Sequence, residues 1–108
     1  MKMTAIFAVS ASILLSGCMT ESRYNQAQEV IRGSPAAKRD VTNRCYEGAN
    51  KASPARKAEM AKIMNVSPRS NVARTYCTRA FNAIAAKRIT YTDLRTRSPA
   101  FIRAIQGR

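Results

Sequence analysis

The apolar residues of this chain recur with the period of an α-helix rather than with that of a strand. The clearest stripe runs from about Pro68 or Asn71 to Lys87, with apolar side chains at i, i+1, i+4, i+5, i+8, i+9 and i+12. Its members are Val72, Ala73, Tyr76, Cys77, Ala80, Phe81 and Ile84. A narrower stripe, rich in small residues, extends from Pro35 to Lys51. Each stripe predicts an amphipathic helix.

Two shorter apolar patterns complete the predicted domain. The segment from Pro54 to about Asn65 has apolar side chains on a broad face whose inward side is ambiguous, and a last short pattern follows Pro99. No credible strand pattern follows residue 18. The sequence therefore predicts an all-α fold, a small bundle of three to four helices.

Each proline of the chain follows a serine, and these pairs mark the predicted helix starts. Serine is a favoured N-cap, and proline is favoured at the next position because its missing N–H is not needed there. The residue before a proline avoids the helical region, so each pair also ends the preceding helix. The pairs are Ser34-Pro35, Ser53-Pro54, Ser67-Pro68 and Ser98-Pro99.

The segment ahead of the first stripe is mostly polar. Tyr24, Ala27 and Ile31 fall roughly on one face of a weak helical pattern, although a flexible segment fits equally well. We expect residues 18–34 to form a tether and residues 35–108 to form a basic helical domain. Near the other end of the chain, residues 87–91 predict a connector, after which Thr92 would cap a single turn.

The chain begins with an apolar segment from Ala5 to Leu15, preceded by the positive charge of Lys2. This length suits the apolar core of an export signal and is too short to span a bilayer, which needs about 20 apolar residues. The segment therefore predicts export. An ordinary secretory signal with an incidental cysteine near its end is the alternative.

The four residues Leu15-Ser16-Gly17-Cys18 resemble the lipobox of bacterial lipoproteins. The resemblance implies that residues 1–17 are a signal peptide removed before Cys18. It further implies that Cys18 carries a diacylglyceryl group on sulfur and an acyl chain on nitrogen, with no other cofactor. Met19 in place of an aspartate implies the outer membrane, on the side facing the periplasm, with the cell membrane as the alternative.

The two remaining cysteines, Cys45 and Cys77, lie on the two longest apolar stripes. In an exported protein they are expected to form a disulfide, which would clamp the first and third predicted helices together. Closing a loop of this length should stabilise the fold by about 3 to 4 kcal/mol on the chain-entropy model. A metal site is disfavoured because the chain has no His and no Cys-x-x-Cys pair.

The chain is strongly basic, with 19 Lys and Arg residues against six Asp and Glu. Removing Lys2 with the signal leaves a formal charge of about +12, which draws a protein toward anionic surfaces. Such a surface would be bound by Arg69, Arg74, Arg79, Arg88, Arg95 and Arg97. The alternative is that the arginines form only a solvated surface.

These features together predict a protein that is not an enzyme. The chain lacks histidine, and no Gly-rich loop follows a strand to hold phosphate. We expect a membrane-anchored structural or binding module that meets an anionic envelope component or an envelope protein. An exclusion or inhibitor lipoprotein that blocks a protein partner is the alternative. A nucleic-acid-binding module is less favoured, because most Tyr and Phe residues fall on apolar stripes.

Overall fold

The computed structural model describes residues 19–108, and this part of the chain contains six α-helices and no strand. The predicted all-α class is confirmed, with more helices than the three or four expected. None of the described helices is long and apolar enough to cross a lipid bilayer. In chain order the helices are α1 Glu21–Gly33, α2 Pro35–Ala49, α3 Pro54–Met64, α4 Val72–Ala85, α5 Tyr91–Thr96 and α6 Pro99–Ile105.

Helix α4 lies at the centre of the domain and packs against α1, α2, α3 and α6. Its inward face is the stripe that the sequence predicts, although Tyr76 and Phe81 are only half-buried. Small residues such as Ala80 and Ala83 let the neighbouring helices approach closely. The buried residues of α4 are Val72, Ala73, Cys77, Ala80, Ala83 and Ile84.

Helix α1 differs from the expected tether, because one of its faces belongs to the core. Tyr24 and Ile31 are buried, and so is Gln28. The Gln28 Nε2 donates a hydrogen bond to the backbone oxygen of Ile84 at 2.9 Å. The Tyr24 hydroxyl donates to the backbone oxygen of Ile89, just beyond α4, so α1 uses polar as well as apolar side chains on its inward face. Ala27, which the pattern placed on the inward face, is exposed.

The predicted starts of α2, α3 and α6 are confirmed, while the Ser67-Pro68 pair does not start a helix. Ser67 begins an exposed turn, in which its backbone oxygen accepts a hydrogen bond from the N–H of Ser70 at 3.1 Å. Helix α4 begins at Val72, with the side chain of the N-cap Asn71 accepting from the N–H of Arg74 at 3.2 Å. The confirmed N-caps are Ser34, Ser53 and Ser98.

The structure also settles which face of α3 points inward. Ala61 and Met64 are buried, whereas Ile63 has a relative solvent exposure of 44%. After α4, the connector carries Ile89, which is buried against the core. Thr90, not the expected Thr92, then caps α5, in a capping box with Asp93.

Candidate functional site

The geometry of the candidate site depends on the disulfide between α2 and α4. Cys45 and Cys77 are bonded as predicted, with their Cα atoms 5.8 Å apart. Two hydrogen bonds between side chains of these helices join Lys38 to Asn82 and Asn43 to Arg74. Residue numbers therefore rise on one helix as they fall on the other. The two helices are antiparallel, and their outer faces lie side by side.

A groove lined by polar and charged residues, with a volume of about 300 Å³, lies between these outer faces. On α4 its residues are spaced by four, which is the spacing that aligns side chains along one helix face. On α2 they form two adjacent pairs four residues apart. The lining residues are Lys38, Arg39, Thr42, Asn43, Arg74, Thr78 and Asn82. We call this feature the cationic groove, because three of its residues are basic and none is acidic.

Two cations of the cationic groove are held in place by uncharged partners. The Nζ of Lys38 donates to Oδ1 of Asn82 at 2.8 Å, and Nη1 of Arg74 donates to Oδ1 of Asn43 at 2.8 Å. The Arg74 guanidinium also lies over the ring of Tyr46, with Cζ 4.1 Å from the ring centroid. These contacts orient both side chains without neutralising them. Both side chains keep their positive charge within the groove.

The ion pairs among residues 19–108 lie elsewhere. Arg44 pairs with Asp40 at 3.2 Å on α2, and Lys87 pairs with Glu29 at 2.9 Å. The hydrogen bond from Lys87 and its positive charge lower the pKa of Glu29. Neither Lys38 nor Arg74 has such a carboxylate partner among the described residues. The chain therefore places its few acids where they leave the groove cations uncompensated.

The six arginines of the predicted anionic-surface site have different partners in the fold. Arg79 and Arg88 donate to the backbone oxygens of Ile105 and Arg108 at 3.0 and 2.8 Å, so they fasten the C-terminal segment. The Arg95 guanidinium lies 5.6 Å from the ring centroid of Tyr91.

The last two arginines of that set also stand apart from the groove. Arg69 is exposed in the turn before α4, and Arg97 ends α5 with φ at 50°. Arg74 is therefore the single member of the predicted set that lines the cationic groove.

Sequence reasoning missed Lys38 and Arg39 as site residues and assigned them to the outer face of α2. A signal for them is nevertheless present in the chain. Polar residues recur every four positions at Arg74, Thr78 and Asn82. Once the cysteines are paired and the helices are taken as antiparallel, these positions fall opposite the first half of α2. The sequence does not give the relative orientation of α2 and α4, which is needed to place these residues together.

The charged lining residues of the groove are a lysine and two arginines. Lys offers a point charge and Arg a planar fork of donors, and both suit phosphate or carboxylate groups. Among the described residues, no group of three or more His, Cys, Asp or Glu side chains is placed to hold a metal ion. The predicted lipidation site, Cys18, lies outside the described residues. Comparison of the chain with protein-family models, with curated proteins and with solved structures found no match.

Proposed function

We propose that this protein is a lipid-anchored, non-enzymatic binding module of the bacterial envelope, which binds phosphate-bearing lipid headgroups through its cationic groove. The observation that carries the proposal is the pair Lys38 and Arg74, held by neutral acceptors and left uncompensated. The lipobox-like residues 15–18 and the disulfide between helices favour an exported protein. We assign it to the outer membrane, facing the periplasm.

The energetics of membrane anchoring are consistent with separate roles for the lipid on Cys18 and for the cationic groove. A single acyl chain gives marginal membrane binding, and two chains or one chain with a basic patch give stable anchoring. A basic residue near anionic headgroups adds about 1 kcal/mol. The acyl groups on Cys18 would thus keep the protein at the membrane, while the groove selects anionic lipids within it.

The anchor is tested by fractionating cells that express the protein or its Cys18→Ser variant. We expect the unchanged protein in the outer-membrane fraction, resistant to high-salt washing and released by detergent. We expect the variant to lose this behaviour, because it lacks the thiol that accepts lipid. If both forms behave as soluble periplasmic proteins, the anchor is refuted.

The groove is tested with lipid-free protein, made as Cys18→Ser behind an ordinary secretory signal. Its binding to vesicles containing phosphatidylglycerol is measured by co-sedimentation. The double change Lys38→Gln and Arg74→Gln should weaken binding roughly 30-fold, because two contacts of about 1 kcal/mol each are lost. The control, Lys51→Gln with Arg69→Gln, removes the same charge at exposed positions outside the groove and should weaken binding much less.

Two results would contradict the groove assignment. Equal weakening by both double variants would mean that overall charge, rather than the groove, drives binding. A stoichiometric, salt-resistant complex with one envelope protein, together with no vesicle binding, would favour the inhibitor alternative.

A further inference from the structure

A second groove, which shares no lining residue with the cationic one, lies between α1, α2 and α4. Its volume is about 230 Å³, and its walls are almost wholly apolar. Ile31, Val41, Phe81 and Ile84 contribute hydrocarbon from the three helices. We call this feature the apolar groove. It reaches the surface, because exposed Ala27 and half-exposed Met19 also line it.

The polar side chains beside the apolar groove are directed to partners in the protein. The Gln28 amide donates to the backbone oxygen of Ile84, and the Tyr24 hydroxyl donates to that of Ile89 at 2.7 Å. Within residues 19–108, no buried side-chain nitrogen or oxygen lacks a hydrogen-bond partner. A polar ligand would therefore find little to bind, and the groove suits a hydrocarbon chain.

Helix α2 leaves this groove partly open. It is 15 residues long, yet none of its residues is fully buried, in contrast to α1 and α4 on the other two sides. Val41 packs on the core only in part. The bridge from Cys45 to Cys77 ties α2 to α4 and restricts how far α2 can shift to close the gap. The fold thus keeps apolar surface that its own described side chains do not cover.

The start of the described chain is fixed at the mouth of this groove. The backbone oxygen of Met19 accepts a hydrogen bond from the Tyr91 hydroxyl at 2.7 Å. Thr20 caps α1, since its side chain accepts from the N–H of Arg23 at 3.1 Å. Met19, the residue that follows Cys18 in the sequence, therefore lies at the mouth of the groove.

We infer that the apolar groove holds one acyl chain carried by the modified Cys18, an inference that rests on the lipid anchor proposed above. The occupant is specified by sequence position and by chemistry, because Met19, the residue next to Cys18 in the sequence, lies at the opening and the walls are hydrocarbon. Burying the acyl chain in the groove removes its hydrocarbon from water whenever the chain is not in a bilayer. The other acyl groups on Cys18 remain available for the membrane.

The test uses the native lipidated protein in cells fed a fatty acid that carries a diazirine in mid-chain. After irradiation the protein is purified, digested with trypsin and examined by mass spectrometry. The expected product joins the lipidated peptide Cys18–Arg23 to the peptide Ala80–Lys87, which contains Phe81 and Ile84. Such a product requires that the attached chain lie within the groove.

A matched pair of variants checks that the groove itself is responsible. Ala27→Trp places a large side chain at the exposed rim of the groove and should abolish the joined peptide. Ala58→Trp adds the same side chain at an exposed position of α3 outside the groove and should leave the product unchanged. Thermal unfolding of both variants confirms that each is folded.

The possible outcomes separate this inference from the proposed anchor. A Cys18 peptide without lipid overturns both. A lipidated Cys18 whose probe reacts only with membrane lipids or with other parts of the chain overturns the groove assignment alone. An adduct at residues 80–87 that carries free lipid and is not joined to Cys18–Arg23 would mean that a membrane lipid occupies the groove, and would also overturn it.

Discussion

At the scale of single residues, buried polar side chains join the helices of this protein. The Tyr24 hydroxyl and the Gln28 amide each donate to a backbone oxygen at or beyond the end of α4. Burial, together with the negative charge of Asp93, raises the pKa of Tyr24. The phenol therefore stays protonated and can donate across the physiological pH range. Losing such a buried donor leaves an unpaired carbonyl, which costs about 1 to 3 kcal/mol.

Asp93 makes the folded state less stable as the pH becomes acidic. Its carboxylate accepts hydrogen bonds from the N–H of Thr90 and the hydroxyl of Ser98, both at 2.8 Å, and these lower its pKa. The folded state then binds this proton more weakly than the unfolded state, whose pKa is about 3.9. The carboxylate stabilises the fold above that pH, and the stabilisation is lost as the pH falls through the folded pKa.

We therefore expect Asp93→Asn to lower the melting temperature at pH 7 and to have progressively less effect as the pH falls toward 2. Circular dichroism melting curves of both proteins, at constant ionic strength, measure this. If the melting temperatures of the two proteins differ by the same amount at every pH, the charge of Asp93 does not contribute to stability and only the shape of its side chain does.

At the scale of helices, N-caps decide where each element begins. The serine of a Ser-Pro pair caps α2, α3 and α6, but α4 is capped by Asn71. Local rules could not separate Ser67 from Asn71, since both are good N-caps. The choice follows from packing, because Val72 is the first residue of α4 to enter the core.

Removing the Asn71 cap should destabilise the protein by about 1 kcal/mol, the usual effect of losing a capping side chain. The measurement is urea unfolding of Asn71→Ala, followed by circular dichroism. Ser67→Ala is the matched control, because Ser67 only holds an exposed turn, and it should change stability by a few tenths of a kcal/mol. A larger loss in the control would mean that the turn, and not the cap, sets the start of α4.

At the scale of the whole molecule, the disulfide restrains the assembly of the bundle. It closes a loop with a sequence separation of 32 between α2 and α4. Reduction should lower the free energy of unfolding by about 3 to 4 kcal/mol on the chain-entropy model. Urea unfolding with and without a thiol reductant measures the change, and Cys45→Ser with Cys77→Ser should resemble the reduced protein. A change below 1 kcal/mol would mean that packing alone holds α2 in place.

The sequence predicts the helical class, the stripe of α4 and the disulfide, because each depends on local spacing or on a simple cysteine count. It does not predict that α1 is part of the core. Gln28 is a polar residue that sequence patterns assign to the surface, and its burial follows only from its hydrogen bond to the backbone oxygen of Ile84. The cationic groove is equally hidden, because Lys38 and Arg74 meet only once α2 and α4 are known to be antiparallel. Both features depend on tertiary contacts that no single segment encodes.

The early start of α1 has a consequence for any partner of this protein. Only Met19 and Thr20 separate Cys18 from the first helical residue, Glu21. With lipid on Cys18, the folded body could rise about 10 Å at most above its attachment point, and only if Met19 and Thr20 left their contacts with Tyr91 and Arg23. That distance is close to the screening length of physiological salt, about 8 Å. The basic body would remain within the electric field of the headgroups, and whatever it binds must come down to the membrane surface to reach it.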